Sequence, residues 1–329
     1  MEQIKQILFD TLYLDIEREE PKPIITIKNK VIATLQNFIC ITGLPKSYKT
    51  TFAFHFIASG LTNKPIFDIS VKIAKGDKIC LIDTETGVHE FSKQVKTLKR
   101  TLRVNNLPEN FSAYLFRKYE PEVILQAIEY IVINEQPKIL FIDNLTELVI
   151  NPNDMIESKK IIQFLKRITS EYNLVIVSLL HLGKSNPNNS LGNLGSYASR
   201  GCQSEIKVSY DKETNLTTLE PVLMRSDLYF EPIQIFWDKD KKEFIQNLEV
   251  QASKKSTRKF VLMDLNSEDH YKRLNVIFMH HSEIIYNELV EDIKKLYGIG
   301  TNIAKQQVIP YLLGNKFITK DKGIYNYKK

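Results

Sequence analysis

The chain has 329 residues, of which 43% are hydrophobic, and 45 Lys and Arg against 39 Asp and Glu give it a net charge of +6. This length allows one large α/β domain with a smaller second domain, and the ordinary apolar content argues against a disordered protein. The chain has no apolar run of about 18 residues and no signal-peptide pattern, and its three cysteines are far apart in the sequence. We therefore expect a cytoplasmic protein without a membrane partner.

Continuous apolar runs alternate with helical patterns through the first 180 residues. The predicted strands are Asn37–Thr42, Lys78–Asp83, Lys138–Asp143 and Leu174–Leu180, and the predicted helices are Thr50–Ala58, Glu90–Val104, 121–134 and Asp154–Tyr172. Strands without polar alternation that are separated by helices predict an α/β fold with a mainly parallel sheet covered on both faces. Shorter alternating segments then predict antiparallel strands that extend this sheet, at Glu205–Tyr210, Leu216–Leu223 and Ile233–Trp237.

The loop after the first of these strands, Gly43–Thr50, fits the phosphate-binding pattern G-x-x-x-x-G-K-[ST] at all positions but one. Tyr48 stands where glycine is usual, so it must adopt the glycine-like backbone conformation or shift the loop. The predicted nucleotide-binding residues are Gly43, Leu44, Pro45, Lys46, Ser47, Tyr48, Lys49, Thr50 and Thr51. Backbone amides and the helix start would hold a triphosphate, Lys49 would reach its β- and γ-phosphates, and Thr50 would bind Mg²⁺.

Acidic residues follow two of the predicted strands. Asp143 directly follows four apolar residues, which suits a carboxylate that orients Mg²⁺ or its waters. Glu85, in the triplet Asp83-Thr84-Glu85, suits the general base that activates the attacking water. The order of loop, Glu85 and Asp143 therefore predicts an ATPase that uses ATP and Mg²⁺.

These motifs resemble the RecA-like ATPases, which include RadA, the DnaB-type helicases and the plasmid RepA helicases. The loop and the Asp-Thr-Glu triplet are most similar to the AAA/RecA-type ATPases of Bacteroidetes mobile elements and phages. The resemblance covers roughly residues 25–245. It implies a RecA-like P-loop core and a homo-oligomer, either a ring or a filament.

The resemblance also implies roles for further residues. His181, at the end of a strand, would sense the γ-phosphate, and Arg225 would reach the neighbouring subunit's γ-phosphate as an arginine finger. Leu223 stands in place of the lysine of the usual Lys-x-Arg pair. The polar segment Lys184–Arg200 corresponds to a loop that faces DNA, and its candidate contacts are Lys184, Asn193 and Arg200.

The positive charge is concentrated near the C-terminus, where about 14 Lys and Arg stand against about 8 Asp and Glu from Gln251 onwards. The predicted organisation is a core over 1–250, a linker over 251–265 and a winged-helix domain over 266–329. Lys305 and Gln306 would lie on its recognition helix, and Lys320 and Lys322 on its wing.

Two functions agree with these features. The first is ATP-driven action on DNA in replication, repair or mobilisation, of the helicase or recombination-mediator type, with single- and double-stranded DNA both open. The alternative is an ATP-switched, DNA-binding regulator or initiator with slow turnover. A small-molecule kinase fits less well because it gives Glu85 and the basic tail no task.

Overall fold

The computed structural model describes residue 4 and residues 20–183, 191–247, 267–279, 283–297, 299–321 and 323–327. The chain divides into two compact units, Met1–Leu248 and Glu249–Lys329. The predicted linker, 251–265, lies outside the described residues.

The first unit is built around a nine-stranded sheet in the order β12-β11-β10-β9-β3-β8-β7-β5-β6, with a small sheet β2-β1-β4 beside it. The strands are β1 (Pro23–Ile27), β2 (Lys30–Thr34), β3 (Phe38–Gly43), β4 (Ile69–Val71), β5 (Ile79–Asp83), β6 (Phe111–Leu115), β7 (Ile139–Asp143), β8 (Val175–His181), β9 (Ser204–Asp211), β10 (Leu216–Met224), β11 (Ile233–Asp238) and β12 (Glu243–Gln246). The helices are α1 (Lys49–Thr62), α2 (Val88–Leu102), α3 (Pro121–Glu135), α4 (Met155–Glu171) and α5 (Gly192–Gly201), with a 3₁₀ turn at Leu145–Leu148.

Six neighbouring strands, from β9 to β6, run parallel, and β10, β11 and β12 extend the sheet antiparallel. This arrangement confirms the prediction of an α/β, RecA-like core with a mainly parallel sheet. The prediction that all three later strands join the sheet antiparallel is wrong for β9. This strand pairs parallel with β3 and antiparallel only with β10. Alternating polarity indicates which face of a strand is buried and carries no information about strand direction.

Successive side chains along the central strands pack into two different hydrophobic cores, one on each face of the sheet. Ile41 and Phe141 pack into the core on one face, with Phe52 of α1, while Cys40 and Leu140 pack into the core on the other. Burial on both faces is why these strands appear in the sequence as continuous apolar runs. Each fully buried side chain of this size stabilises the fold by roughly 1.5–3 kcal/mol.

The second unit contains helices, a short strand and a hairpin. Its elements are α6 (Ser267–Phe278), β13 (Ile284–Ile285), α7 (Tyr286–Tyr297), a helical segment over 301–314 that is π-helical at Ala304–Val308, β14 (Ile318–Asp321) and β15 (Ile324–Tyr327). The three strands form an antiparallel sheet in the order β13-β15-β14 over a core that includes Leu289, Val308 and Leu312. The winged-helix assignment stays a prediction.

In this unit the sequence pattern predicts a helix over Ile284–Tyr297, and its first residue is wrongly assigned. Ile284 begins β13 because it pairs with Tyr325 of the hairpin, a contact that local sequence does not specify. The sequence also predicts a helix over Asn302–Leu313 in which Pro310 causes a kink or an early stop. The early stop is wrong, because Pro310 lies in the first turn of the helix Ile309–Gly314, which follows the π-helical turn Ala304–Val308. No helix in the described residues is long and apolar enough to cross a membrane.

His55 of α1 is a buried titratable group in the first unit, between the rings of Phe67 and Phe244 at centroid distances of 4.7 and 5.9 Å. Burial lowers the pKa of His55 to about 4, from the ordinary histidine value of 6.5. The unfolded chain therefore binds a proton at a higher pH than the folded chain does. Stability from the neutral ring is complete above about pH 6.5 and is lost as the pH falls towards 4.

We expect the His55→Gln variant to lose less unfolding free energy than the wild type between pH 7.5 and pH 5. The wild-type loss from this group is about 1.4 kcal/mol per pH unit below 6.5, which is about 2 kcal/mol by pH 5. Urea unfolding at a series of pH values measures it, with His89→Gln, at an exposed position on α2, as the control. The pKa of buried Asp143 is raised to about 7, so this group makes the unfolding free energy rise as the pH falls, in both proteins. Only the difference between the pH profiles of the variant and the wild type therefore tests His55. Equal pH profiles would contradict the assignment.

Candidate functional site

The loop Gly43–Thr50 joins the end of β3 to the start of α1, and the start of a helix presents backbone NH groups that suit an anion. Position 43 has room only for glycine, because a Cβ there would lie 2.4 Å from the Val208 carbonyl oxygen and 2.5 Å from Ser47 Oγ. Two non-glycine residues of the loop have left-handed backbone angles, Lys46 with φ of 65° and Tyr48 with φ of 68°. The chain therefore folds into a tight loop with a single glycine.

Tyr48 adopts the conformation that glycine usually supplies at this position. Its φ of 68° and ψ of 27° lie in the left-handed region. Its ring packs edge-on against Tyr210 of β9 and Phe244 of β12, at centroid distances of 5.0 and 5.8 Å. These contacts favour a conformation that costs a residue with a Cβ about 1–2 kcal/mol.

We expect the Tyr48→Ala variant to be less stable than the Tyr48→Gly variant by about 1 kcal/mol, because both lose the ring contacts and only alanine keeps the strained Cβ. Urea unfolding of the two variants and the wild type measures the difference. An alanine variant as stable as the glycine variant would show that the backbone angle relaxes once the ring is removed.

Lys49 is the buried cation of the site, with 6% of its surface exposed. Its Nζ donates hydrogen bonds to the carbonyl oxygens of Gly43 and Leu44 at 3.1 Å and lies 3.1 Å from His181 Nδ1. Burial lowers the pKa of Lys49, and the charges of Asp143 and Glu85 partly offset this effect. A buried ammonium of this kind is suited to binding an anion.

Asp143 ends β7 and lies beside Thr50 at the start of α1. The Thr50 hydroxyl donates a hydrogen bond of 2.6 Å to Asp143 Oδ2. Burial raises the pKa of Asp143 to about 7, and the nearby Asp83 and Glu85 charges add to this rise. A divalent cation here would lower that pKa again, since an opposite charge favours the carboxylate.

The two oxygen donors, Thr50 Oγ1 and Asp143 Oδ2, fit the hard-oxygen preference of Mg²⁺. The described residues contain no cluster of three or more His, Cys, Asp or Glu that could hold a metal. An ion held by Thr50 and Asp143 would therefore take its other ligands from nucleotide phosphates and water, which is the usual arrangement for Mg²⁺.

Glu85 is held by two side chains from neighbouring strand ends. His181 Nε2 lies 3.3 Å from Glu85 Oε2, and Asn144 Nδ2 donates to the same oxygen at 3.5 Å. The His181 hydrogen bond lowers the pKa of Glu85, although partial burial acts in the opposite direction. Glu85 is therefore a carboxylate at neutral pH, and its side chain is half exposed.

The two ring nitrogens of His181 join Lys49 to Glu85. A lysine ammonium can only donate, so Nδ1 of His181 accepts, and the proton of the neutral ring is assigned to Nε2, which faces the carboxylate. The parallel register places Gly43 opposite His181 and Asp83 opposite Asp143. The sheet therefore brings five predicted residues together at the carboxyl ends of its parallel strands, an end called the sheet edge below: Lys49, Thr50, Glu85, Asp143 and His181.

Sequence reasoning missed two residues that position this group. Asn144 contacts Glu85, and its backbone NH also donates to Thr84 Oγ1 at 2.9 Å. Asp83 accepts hydrogen bonds from the backbone NH groups of Glu85 and Thr86, at 2.9 and 2.8 Å, and fixes the turn that presents Glu85. The polar pair Asp143-Asn144 directly after an apolar strand was the available signal for Asn144.

Arg225 and Asn193 have hydrogen-bond partners elsewhere in the first unit. Arg225 follows β10 and donates a 2.6 Å hydrogen bond to the carbonyl oxygen of Arg200 at the end of α5. Asn193 Nδ2 donates to the Asn153 carbonyl oxygen at 2.5 Å, so this side chain has a partner within the fold. Lys184 and Lys322 lie outside the described residues.

In the second unit, two exposed lysines lie over the rings of Tyr286, which is exposed, and Tyr325, which is buried. The ammonium of Lys305 lies 5.9 Å from the ring centroid of Tyr286, and that of Lys320 lies 5.5 Å from Tyr325. The two rings are 5.9 Å apart. Gln306 is exposed next to Lys305 on the same helical segment.

A parallel sheet that carries a phosphate loop after one strand and acidic residues at two neighbouring strand ends defines the class of RecA-like P-loop ATPases. A family model described as an AAA domain matches residues 11–187, more than half of the chain. The chain therefore belongs to this AAA domain family.

Among solved structures, a KaiC-like protein from the hyperthermophilic archaeon Pyrococcus horikoshii OT3 is similar over 65% of this chain and 90% of its own length, at 12% identity and a TM-score of 0.47. No curated protein sequence matches the chain.

Proposed function

We propose that the protein hydrolyses ATP at the Gly43–Thr50 loop and uses the cycle to act on DNA, in replication, repair or mobilisation. The observation that carries the catalytic part is the contact series Lys49–His181–Glu85, which links the phosphate loop to a carboxylate held at the same sheet edge. A helicase or a recombination mediator would use such a cycle.

Each residue at this edge has a distinct task in the proposal. Lys49 binds the β- and γ-phosphates, and Thr50 and Asp143 hold Mg²⁺, which when bound neutralises phosphate charge. Glu85 accepts the proton of the attacking water, as a half-exposed carboxylate can. His181 contacts both Lys49 and Glu85, so a change in how Lys49 is bound reaches the base through one ring.

The DNA part of the proposal draws on the second unit. The helix, strand, helix, helix and hairpin order, with a three-stranded antiparallel sheet, supports a winged-helix domain. Exposed Lys305 and Lys320 suit phosphate contacts, and exposed Gln306 suits a base edge. In the first unit Arg200 and Asn193 are further candidates for DNA contact.

Assembly into a ring or a filament is part of the same proposal. Arg225 is exposed at the end of β10, and its guanidinium binds the Arg200 carbonyl oxygen within its own chain. To act as an arginine finger on a neighbouring copy, Arg225 would have to leave that carbonyl. Mass measurement with a non-hydrolysable ATP analogue, with and without DNA, tests the assembly.

The test of the proposed function is the ATPase rate of the full chain with and without single- and double-stranded DNA. We expect hydrolysis that requires Mg²⁺ and rises with one of the two DNA forms. A rate that neither DNA form changes would contradict the coupling to DNA, and the absence of hydrolysis under all conditions would contradict the enzyme.

The second candidate is an ATP-switched DNA-binding regulator with slow turnover. The observation that favours it is Tyr48, whose ring is fixed between the phosphate loop and the strands β9 and β12. A loop fixed in this way suits tight nucleotide binding more than rapid exchange. ATP-dependent changes in mass or DNA affinity, without rapid phosphate release, would distinguish this candidate from the first.

For the DNA surface, we expect Lys305→Glu combined with Lys320→Glu to weaken DNA binding by about tenfold or more. We also expect the slope of log affinity against log salt concentration to fall by about two, one for each lost phosphate contact. Fluorescence anisotropy at several salt concentrations measures both effects. Lys295→Glu, an exposed change on α7, is the control. Equal losses in both proteins would indicate a non-specific effect of net charge.

A further inference from the structure

A pocket lies between the end of α2 and the hairpin formed by β11 and β12. Residues 65–67, which follow α1, and the side chain of Phe244 on β12 also line it, and it encloses about 1030 Å³ including the part open to solvent. The residues of the loop Gly43–Thr50 are not part of its lining. A smaller neighbouring pocket, which shares Phe244, is lined by Gln94, Trp237 and His55. A ligand between α2 and the hairpin would therefore be separate from one bound at the phosphate loop.

The lining of this pocket is strongly basic. Arg100 and Arg103 stand on the α2 side and Lys241 and Lys242 on the hairpin side, against one carboxylate, Glu243, among the described lining residues. The four basic residues are exposed, and none of them forms an ion pair with a carboxylate of the described chain. Four like charges around one cavity repel one another, and a bound anion would offset that repulsion.

Two further carboxylates near the pocket are used within the fold. Asp68 accepts a hydrogen bond from Gln246 Nε2 at 2.9 Å, which ties β12 to the segment after α1. Asp238 accepts from the backbone NH groups of Asp240 and Lys241, at 2.9 Å each, and fixes the hairpin turn. These bonds shape the walls of the pocket and occupy the carboxylates. The basic side chains are therefore available to a ligand.

Local structure explains the basic residues on only one of the two walls. Arg100 lies in the last turn of α2 and Arg103 follows it, where cations offset the negative end of the helix dipole. The hairpin turn has no such need. Lys242 has a φ of 55°, a left-handed angle that favours glycine or asparagine, and Lys241 is an exposed turn residue. A ligand that requires cations on both walls accounts for all four residues.

The charge pattern favours a small anion over a nucleic-acid strand. The net charge of +6 arises from residues 251–329, so the first 250 residues are close to neutral and a long polyanion would be drawn to the second unit. Phe67 and Phe244 are only partly exposed and both pack against the ring of His55, which leaves little of their faces for stacking with bases.

We infer that the pocket between α2 and the β11–β12 hairpin binds a small anion that carries several phosphate groups. The planar guanidinium groups of Arg100 and Arg103 suit paired hydrogen bonds to phosphate oxygens, and the ammonium groups of Lys241 and Lys242 suit a second phosphate as point charges. Several phosphates supply the multiple negative charge that four unpaired cations require. The inference goes beyond the proposed function, because this site does not use the phosphate loop.

The test is calorimetric titration of the full chain with inorganic tripolyphosphate, in an excess of a non-hydrolysable ATP analogue and Mg²⁺ that occupies the phosphate loop. We expect a binding event that becomes about tenfold weaker when Arg100→Gln is combined with Lys242→Gln. The control combines Lys96→Gln with Lys239→Gln, which makes the same charge change on α2 and the hairpin at exposed positions outside the lining.

Equal losses in the two double variants would overturn the pocket, and so would the absence of any tripolyphosphate binding once the loop is occupied. An ATP analogue that fails to bind would count against the ATPase proposal alone, because the comparison of the two double variants still measures the pocket. Urea unfolding of both double variants checks that each is folded.

Two other ligands test the chemical class. Citrate carries three carboxylates and no phosphate, and single-stranded oligothymidylate carries a phosphate chain longer than the pocket. We expect citrate to bind about tenfold more weakly than tripolyphosphate, and oligothymidylate to bind both double variants equally. Citrate that binds as tightly as tripolyphosphate would overturn the phosphate assignment. Oligothymidylate that is weakened selectively by Arg100→Gln with Lys242→Gln would make this a nucleic-acid surface and overturn the small anion.

Discussion

Replacing Glu85 by glutamine is expected to slow ATP hydrolysis by about 10²- to 10⁴-fold while ATP still binds. The amide keeps the size of the side chain and can still contact His181 and Asn144, but it cannot accept the proton of the attacking water. Phosphate release measured beside ATP binding by calorimetry separates the two effects. Because the His181 hydrogen bond lowers the pKa of Glu85, the carboxylate is available as a base at neutral pH.

The control for this experiment is Glu122→Gln, an exposed position in the first turn of α3. It makes the same chemical change away from the sheet edge and should leave both rate and affinity unaltered. A Glu85→Gln protein that hydrolyses ATP at the wild-type rate would remove Glu85 from the reaction. Lost binding together with lost activity would instead assign it a structural role.

Replacing Lys49 by methionine is expected to weaken ATP binding by about 100-fold or more, since charge-assisted hydrogen bonds contribute about 1.5–3 kcal/mol each. Lys49 is buried and desolvated, so its charge is costly in the free protein and is offset when an anionic phosphate binds. Calorimetric titration with a non-hydrolysable ATP analogue measures the loss.

Lys46→Met is the comparison for this prediction, because it removes a lysine of the same loop that is exposed to water. Water screens an exposed charge, so the expected loss at Lys46 is several-fold smaller than at Lys49. Equal losses would show that the loop attracts the nucleotide by its overall positive charge and has no dedicated phosphate ligand.

Much of the sheet edge could be predicted because parallel strands leave a strong signal in sequence. Apolar runs that end in Gly43, Asp83, Asp143 and His181 mark strands whose carboxyl ends meet at one edge. Asn144 was missed because its contact with Glu85 joins residues 59 positions apart. Its role depends on the pairing of β5 with β7, which no local pattern specifies.

Short elements were the other failure of prediction. β4 has three residues and β13 has two, too few for a periodic pattern, and each exists because a longer strand lies beside it. The pocket lined by Gln94, Trp237 and His55 was missed for a different reason, because these residues belong to three separate elements and none of them stands in a recognisable motif.

Tyr48 has a consequence for how such loops can evolve. Its left-handed backbone and the surface that receives its ring allow a large side chain where most phosphate loops are limited to glycine. The requirement at position 48 is therefore a left-handed backbone conformation and not the absence of a side chain.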